Sequence, residues 1–481
     1  MTSRCRGPGS DRLWTLAAIS LILAHTGWQM WQVALAPYPA QYDYDEGVYA
    51  ETAAAAAGGV PLYTGVFLSQ PPLLILALSA AYRATMPSLA AARDTVAVFS
   101  ALWLLALFLV LAGDGRPRAG VLAILAVLGN PAFLTSAHTV QMEAPSEALA
   151  AAAVALAVQG LRRSGMLWWT AAGALWGLAT MTKLTAAVSI VPLVGAVLAG
   201  TPRPGPSPAW GRRAGALVAG VILALTPFLP TISIKPFLAQ ALFFHVALAR
   251  HLGPDPAGHA LSTLRFLGAG WPLSIAAGLG VGLALMEGGA LARLLVAWLA
   301  AALAAVLALT PLWPHHLVLL LSPLALLAGI SLDRLVDRVT GVARGAAATA
   351  GIAAVAAYWV AGVSAGGAAA PSRDLREMSG RIAAALPRTA YMVTDDPLVA
   401  FLAGRSIPPE VIDTSIARFL AGELSERTLW AALRSDRVQA VLFWRGTFQR
   451  EFPGLASRAA AVFPIRDAVG DGRLLLLKRA P

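Results

Sequence analysis

The chain has 481 residues, of which 58% are hydrophobic and only 13% are charged. This composition excludes an ordinary soluble domain and predicts a polytopic membrane protein. The net charge of +11 does not indicate a nucleic-acid partner, because most arginines lie in short loops beside apolar segments, where membrane orientation explains them. The single cysteine, Cys5, excludes an intramolecular disulfide and a cysteine metal cluster.

Eleven apolar stretches have roughly the length that a helix needs to cross a bilayer core. They cover residues 13–36, 94–112, 119–137, 146–161, 167–181, 184–200, 214–231, 270–286, 291–310, 317–331 and 346–366. We interpret the first as a retained anchor, because it is long and lacks the small-residue cleavage site of a signal peptide. A cytoplasmic N-terminus places most loop arginines inside, and eleven spans then place the C-terminus outside.

One apolar run does not fit this pattern. Residues 71–87, PPLLILALSAAYRATMP, are short, open with two prolines and carry Arg83. Counting them as a span would put the arginine-rich loops outside, so we predict an interfacial or re-entrant segment. Residues 37–93 then form one long external loop.

That loop holds an unusual cluster of acids. The stretch QYDYDEGVYAETA, residues 41–53, gathers four carboxylates and three tyrosines just after the first span. Ionisable groups near membrane depth are costly and usually line a functional cavity. The same predicted side carries the other polar outliers, which are Glu143, Glu147, Lys183, His245, Arg250, His251, Arg265, His315 and His316.

From about residue 371 the charged residues return at the density of a soluble protein. The segments TAYMVTDD and VQAVLFW predict strands, and the run from Ile416 to Asp436 has helical periodicity. AAVFPIRDAVGDGRLLLLKR predicts two strands around a Gly-Asp-Gly turn, and Asp395 and Asp396 are expected to end a strand and begin a turn. We therefore predict an all-α polytopic membrane domain over 1–370 and a small external α/β soluble domain over 371–481.

Four segments together carry a family resemblance. They are YDEGVYAETAAAAAGGVPLY, SQPPLLILAL, GLATMTKLTAAVSIVPL and PLWPHHLVLLLSPLALLAG. Over about residues 10–335 the chain resembles glycosyltransferase family 39, the GT-C membrane enzymes that include protein mannosyltransferases and the aminoarabinose transferases of lipid A. The resemblance implies a GT-C-like fold in the cytoplasmic (inner) membrane. It also implies transfer of a sugar from a polyprenyl phosphate to a lipid, glycan or protein acceptor on the external face, with inversion at the anomeric carbon.

Such a transfer needs a base for the acceptor hydroxyl and cations for the departing phosphate. Asp45 matches the first acid of the family's Asp-Glu pair and is the candidate base, and Glu46 is expected to orient it or to bind acceptor hydroxyls. Glu143 matches the acid that the family places in the second external loop. The residues predicted to bind substrate are Asp43, Glu143, Lys183, Arg250, His315 and His316.

The chain departs from the family pattern at two positions. Gln70 stands where family members often carry Lys before Pro-Pro, and Val48 replaces the Arg of the aminoarabinose branch. No cofactor is required by this chemistry, although a divalent cation is compatible with it. The chain has no tight metal-ligand spacing such as His-Glu-x-x-His, so no metal site is predicted.

Structural roles remain as alternatives for the same residues. Asp45 and Glu46 could cap a short interfacial helix, and Glu143 could cap a helix that starts near Ser146. Lys183 could reach the headgroup surface, and the two histidines could lie in an interfacial belt beside Trp313. For the whole protein the rival functions are a lipid or sugar transporter, which would be expected to show internal repeats, and a non-catalytic scaffold.

Overall fold

The computed structural model describes residues 8–35, 43–163, 165–199, 208–338, 373–469 and 473–477. The α-helices before residue 339 are α1 (Pro8–Leu35), α2 (Tyr44–Ala57), α3 (Leu73–Ala84), α4 (Leu89–Gly113), α5 (Pro117–Leu128), α6 (Pro131–His138), α7 (Glu143–Arg162), α8 (Met166–Thr180), α9 (Ile190–Ala199), α10 (Pro208–Leu225), α11 (Ile234–Leu238), α12 (Phe244–Leu252), α13 (Pro256–Ala269), α14 (Trp271–Glu287), α15 (Ala290–Ala308) and α16 (Leu321–Arg338). Short 3-10 helices lie at Leu184–Ser189, Thr226–Phe228 and Pro314–Leu320, and a π-helical turn lies at Ala239–Phe243.

Every predicted span among the described residues falls on a helix, while 346–366 lies outside them. Five described helices are long and apolar enough to cross a membrane, which are Leu89–Gly113, Glu143–Arg162, Ala209–Phe228, Ala290–Ala308 and Pro314–Arg338. Two sharply bent pairs, α5 with α6 and α13 with α14, raise the number to seven if each pair is one span. The count of eleven is not confirmed, because α8 and α9 have only 15 and 10 residues.

Helix α7 lies at the centre of the bundle. It is rich in alanine, and residues such as Ala148, Ala151 and Ala155 are almost fully buried between α4 and α8. Small side chains allow helices in a bilayer to approach closely, where van der Waals contact replaces the hydrophobic driving force. Helices α8 and α10 also approach each other closely through small residues. A Cβ at Gly173 or Gly220 would collide with a backbone carbonyl of the partner helix.

The awkward run at 71–87 forms α3, a 12-residue helix that is too short to be a span on its own. One face buries Leu74, Ile75 and Leu78. The Ser79 hydroxyl, which is also buried, donates to the carbonyl of Ala53 at 3.0 Å and so links α3 to α2. Helix α3 therefore packs against α2, the helix that carries the acids, and holds it in place.

The C-terminal region, residues 373–477, contains a four-stranded sheet and short helices. Its elements are α17 (Arg373–Ala385), β1 (Tyr391–Thr394), α18 (Pro397–Leu402), a 3-10 turn (Pro409–Val411), α19 (Ile416–Leu420), α20 (Glu426–Leu433), β2 (Val438–Phe443), α21 (Thr447–Glu451), α22 (Leu455–Val462), β3 (Ile465–Val469) and β4 (Arg473–Leu477). The sheet order is β1-β2-β4-β3, with β1 parallel to β2 and the other pairs antiparallel.

The predicted strands are all present, and the Gly-Asp-Gly turn at 470–472 lies outside the described residues. The helical run predicted from Ile416 to Asp436 is two helices, because the Ser425 side chain caps a new helix by accepting from the Thr428 N–H at 3.2 Å. The domain boundary near residue 370 lies outside the described residues and stays a prediction.

The C-terminal region rests directly on α2. Helix α18 approaches so closely that a Cβ at Gly47 would collide with the backbone of Leu398, so only glycine allows this contact. The rings of Tyr82 and Phe401 stack beside it with centroids 6.1 Å apart. Helix α2 is consequently held between α3 on one side and the C-terminal region on the other.

Candidate functional site

The first turn of α2 is fixed by Asp43. Its carboxylate accepts a hydrogen bond from the backbone N–H of Asp45 at 2.8 Å and another from the Gln141 side chain at 2.7 Å. Asp43 is therefore the N-cap of this helix, a position that favours Asp because the first N–H groups have no partner within the helix. The capping role expected as an alternative for Asp45 and Glu46 belongs to Asp43 instead.

Asp45 and Glu46 point to different surroundings. Glu46 is fully buried, forms a two-pronged ion pair with Arg93 at 2.7 Å for both oxygens, and accepts from the backbone N–H of Val140 at 3.0 Å. It does not line the cavity described below. The Asp45 carboxylate does line it, and the described residues supply it with no hydrogen-bond partner.

A cavity of about 560 Å³ lies between the bundle and the C-terminal region. The bundle contributes the start of α2, the loop at 69–70, the 3-10 turn at 183–185, α12 and the segment 309–316. The C-terminal region contributes residues 413–417, Arg445 and Thr447. Because both regions supply walls, the cavity exists only in the assembled molecule.

Basic side chains gather at one wall. The Lys183 ammonium forms an ion pair with the Glu143 carboxylate, and both side chains are almost fully buried. His315 Nε2 lies 3.7 Å from the same carboxylate oxygen, and His316 Nδ1 accepts from the backbone N–H of Trp313 at 3.2 Å. Lys183 and the two histidines line the cavity at the starts of 3-10 helices, which precede α9 and α16 in the chain.

The same wall brings together a possible set of metal ligands. One ligand atom from each of Glu143, His315 and His316 lies within 4.8 Å of the others. A carboxylate with two imidazoles suits Zn²⁺ or a similar ion, which would supply positive charge for phosphate oxygens. The sequence spacing did not predict this group because Glu143 lies far from the two adjacent histidines in the chain. In this structure the Lys183 ammonium already pairs with that carboxylate.

Some of the remaining predicted residues line the cavity and others do not. His245 lines the cavity and donates to the carbonyl of Ser69 at 2.7 Å, whereas Arg250 is exposed on α12 and does not line it. Gln70, which stands in place of the family lysine, lines it as an uncharged side chain. Glu147 is buried in the bundle, where it accepts from the Ser322 hydroxyl at 2.6 Å and ties α7 to α16.

The cavity raises the basicity of its acids. Burial raises the pKa of Asp45 to about 8, and the negative charges of Asp43 and Glu143 add to this effect, while Lys183 opposes it. Burial also raises the pKa of Asp43, against the influence of His315. The pKa of Tyr49, which also lines the cavity, lies well above its ordinary value for the same reason, so its phenol is a hydrogen-bond donor at neutral pH.

Several residues of the site carry no signal in the sequence. The Tyr44 hydroxyl accepts from the backbone N–H of Thr414 at 2.8 Å and donates to Asp413 at 3.2 Å, which joins α2 to the C-terminal region. The Arg445 guanidinium lies over the Tyr44 ring, 4.9 Å from its centroid. Arg93, the partner of Glu46, is the last residue of the predicted external loop 37–93 and was not among the predicted site residues. None of these contacts follows from local spacing.

Part of the sequence matches a known protein family. Residues 69–234 match the profile of a family described as dolichyl-phosphate-mannose-protein mannosyltransferase, a match that does not extend to the acids of α2. No curated protein matches the sequence.

Solved structures match over nearly the whole chain. ArnT from Cupriavidus metallidurans bound to undecaprenyl phosphate has 16% sequence identity and a TM-score of 0.69, over 98% of both chains. The oligosaccharyltransferase AglB from Archaeoglobus fulgidus, in complex with an inhibitory peptide and a dolichol-phosphate, has 11% identity and a TM-score of 0.55, over 93% of this chain and 72% of that one. An oligosaccharyltransferase from the same organism, in complex with Zn and sulfate, has 14% identity and a TM-score of 0.56, over 88% and 67%.

The resemblance to GT-C membrane glycosyltransferases is confirmed by the family profile and by these structures. The bundle has the ArnT-like GT-C fold. The prediction of a glycosyltransferase is supported by the family profile over residues 69–234, whose description names a mannosyltransferase. At 11 to 16% identity the structures themselves show the fold alone.

Proposed function

We propose that this protein moves a sugar from a polyprenyl-phosphate donor to an acceptor hydroxyl on the external face of the cytoplasmic membrane. The observation that carries the proposal is the open Asp45 carboxylate, which faces a cavity of about 560 Å³ also lined by Lys183, His315 and His316. A base and a group of cations around one space are the two requirements of glycosyl transfer from a lipid phosphate. The shared fold with a structure that holds undecaprenyl phosphate supports the same donor class.

The chemistry assigns one step to each side of the cavity. Asp45 takes the proton of the acceptor hydroxyl while the acceptor oxygen bonds to the anomeric carbon. The bond from that carbon to the phosphate oxygen breaks, and the polyprenyl phosphate leaves with the electron pair. The Lys183 ammonium and the imidazole N–H groups of His315 and His316 stabilise the charge that develops on the leaving oxygen. Asp45 returns its proton to solvent.

A pKa of about 8 suits Asp45 for this role. A general base works best when its pKa lies near the operating pH, because it must be deprotonated and still hold the proton it receives. A single displacement of this kind inverts the anomeric configuration of the sugar.

Glu46 takes a different part in the proposal. Its ion pair with Arg93 and its bond to Val140 anchor α2 to α4 and to the segment before α7. It therefore positions Asp45 through the helix rather than touching the acceptor. Glu143 likewise acts through Lys183 and His315, whose positions it fixes.

Radiolabelled transfer would test the proposal. Membranes that contain the wild-type protein or Asp45→Asn are supplied with a panel of polyprenyl-phosphate sugars, and the label in acceptor is counted. Label that enters acceptor with the wild type and not with Asp45→Asn, at equal expression, is the expected result. Asp255→Asn is the matched control, because Asp255 is an exposed N-cap on α13 that lies outside the cavity.

Two outcomes would contradict the proposal. Equal transfer by wild type and Asp45→Asn would remove Asp45 from the reaction. Movement of intact lipid-linked sugar between membrane faces, without transfer from any donor of the panel, would favour the transporter.

A further inference from the structure

Arg445 is a cavity residue that the proposed chemistry has not yet used. It follows β2 in the C-terminal region, and its side chain is 40% exposed and lines the cavity. Its guanidinium donates no hydrogen bond within the described residues. Its ion-pair contact among the described residues is a loose one with Asp396, whose carboxylate oxygen lies 4.0 Å away, beyond hydrogen-bond distance. The guanidinium therefore has donors available for a ligand.

The other permanent cation of the cavity is already engaged. Among the described lining residues, Lys183 and Arg445 are the ones that carry a fixed positive charge, and the Lys183 ammonium is paired with Glu143. Gln70 brings no charge, and Arg250 is outside the lining. Of these two cations, Arg445 is therefore the one that no carboxylate engages by a hydrogen bond, so its donors are available to a phosphate in the cavity.

The position of Arg445 is fixed from two sides. The Asp395 carboxylate accepts from the backbone N–H groups of Trp444 at 2.6 Å, of Arg445 at 3.1 Å and of Thr447 at 2.9 Å, which holds the turn after β2. The guanidinium lies over the Tyr44 ring, and Tyr44 is itself bonded to the C-terminal region. A donor group held in this way loses little freedom when it binds.

We propose that Arg445 binds the phosphate of the lipid-linked donor, so that the C-terminal region forms part of the donor site. The proposal rests on the proposed function. A guanidinium can present two parallel N–H donors to two phosphate oxygens, a geometry that an ammonium cannot offer. The same phosphate stays on the lipid after transfer, so undecaprenyl phosphate probes this site whatever sugar is carried.

The test measures binding of undecaprenyl phosphate to the purified full-length protein in detergent, by titration and native mass spectrometry. Wild type is compared with Arg445→Gln and with Arg445→Lys. Arg434→Gln is the matched control, because Arg434 is an exposed arginine of the same region that does not line the cavity. Undecaprenol, which lacks the phosphate, is the control ligand.

We expect Arg445→Gln to raise the Kd for undecaprenyl phosphate about tenfold or more, the loss expected for hydrogen bonds to a charged group. Arg445→Lys should give a smaller rise, because it keeps the charge and loses the paired geometry. Arg434→Gln should bind as the wild type does. Binding of undecaprenol should be the same for all four proteins.

Other outcomes would overturn the assignment. Equal binding of undecaprenyl phosphate by wild type and Arg445→Gln would exclude a phosphate contact, and a loss of transfer in that case would place Arg445 at the acceptor. A parallel loss of undecaprenol binding would mean that the cavity had changed shape. Failure of the wild type itself to bind undecaprenyl phosphate would reject the donor class, and with it both proposals, whereas the first two results leave the proposed function standing.

Discussion

Two adjacent acids of α2 face two different regions of the molecule. Asp45 faces the open cavity and has no hydrogen-bond partner among the described residues, whereas Glu46 is sealed against α4 by Arg93. Successive residues of an α-helix are rotated by about 100°, so neighbours in the sequence can face opposite surroundings. The Asp-Glu pair therefore combines one carboxylate that is open to the cavity with one that is sealed in the bundle.

The two buried ion pairs differ in the same way. The pair of Glu46 and Arg93 joins helices away from the cavity, whereas the pair of Glu143 and Lys183 lies at the cavity wall, with Lys183 in the lining. A buried pair that is broken on one side leaves an uncompensated charge, which is strongly destabilising. Breaking either pair should therefore lower stability, and breaking the pair at the cavity wall should lower activity as well.

Asp45→Asn should have the largest effect on transfer. Loss of a general base lowers rates by about 10² to 10⁴-fold, and the isosteric amide leaves the helix cap of Asp43 intact. Single-turnover transfer rates, measured beside a thermal unfolding midpoint, would check the expectation. A large fall in the unfolding midpoint would contradict it, since it would make Asp45 structural like its neighbour.

Glu46→Gln should act through stability instead. It leaves the buried Arg93 without its counter-charge, and such losses are about 3–5 kcal/mol. Denaturant unfolding in detergent would measure the change. Arg93→Gln should be similarly damaging, and the double variant should recover part of the loss because no charge remains unpaired. Normal stability with lost transfer would show that Glu46 acts in the chemistry after all.

Gly47→Ala tests the contact that joins the two regions. The added methyl group would collide with the Leu398 backbone, and overpacking of this kind costs about 1–3 kcal/mol. We expect faster proteolysis of the C-terminal region and a moderate loss of transfer. Gly278→Ala in α14 is the control, because a Cβ there meets no atom within 4 Å. Equal protease resistance in the two variants would mean that α18 does not depend on this approach.

Asp43→Asn should produce the smallest change, a shift in pH dependence. The negative charge of Asp43 raises the pKa of Asp45, so its removal lowers that pKa and extends activity to lower pH. The acid limb of kcat/KM, expected near pH 8 in the wild type, should move down. Asn keeps the helix cap, and the Gln141 amide can turn to offer its oxygen. An unchanged or raised limb would mean that Asp45 does not govern it.

Much of the fold could be predicted from local patterns. The membrane class, the positions of the long apolar helices and the four strands follow from apolar run length and from alternation along the chain. The number of membrane spans could not be predicted, because the length of an apolar run does not distinguish a straight helix from a bent pair such as α5 with α6. The prediction of one helix over residues 416–436 was wrong for a related reason. The helical period of the sequence continues across the point where the Ser425 cap begins a second helix.

The candidate site was predicted as a set of residues and not as an arrangement. Asp43, Asp45, Lys183, His315 and His316 do line one cavity. Glu46, also in the predicted set, faces away from it. Which side of a helix faces a cavity depends on the packing of its neighbours, here α3 and α18, and the sequence around position 46 does not contain that information.

The sequence by itself determined that this is a membrane protein with many apolar helices, and four of its segments carried the resemblance to GT-C glycosyltransferases. Chain composition and apolar period are local properties, so they can be read without the fold. Only the tertiary structure decided that Asp45 is open while Glu46 is sealed, and that Arg445 joins the site from the C-terminal region. These facts depend on contacts between residues hundreds of positions apart, such as Tyr44 with Thr414, which only the folded chain brings within hydrogen-bond distance.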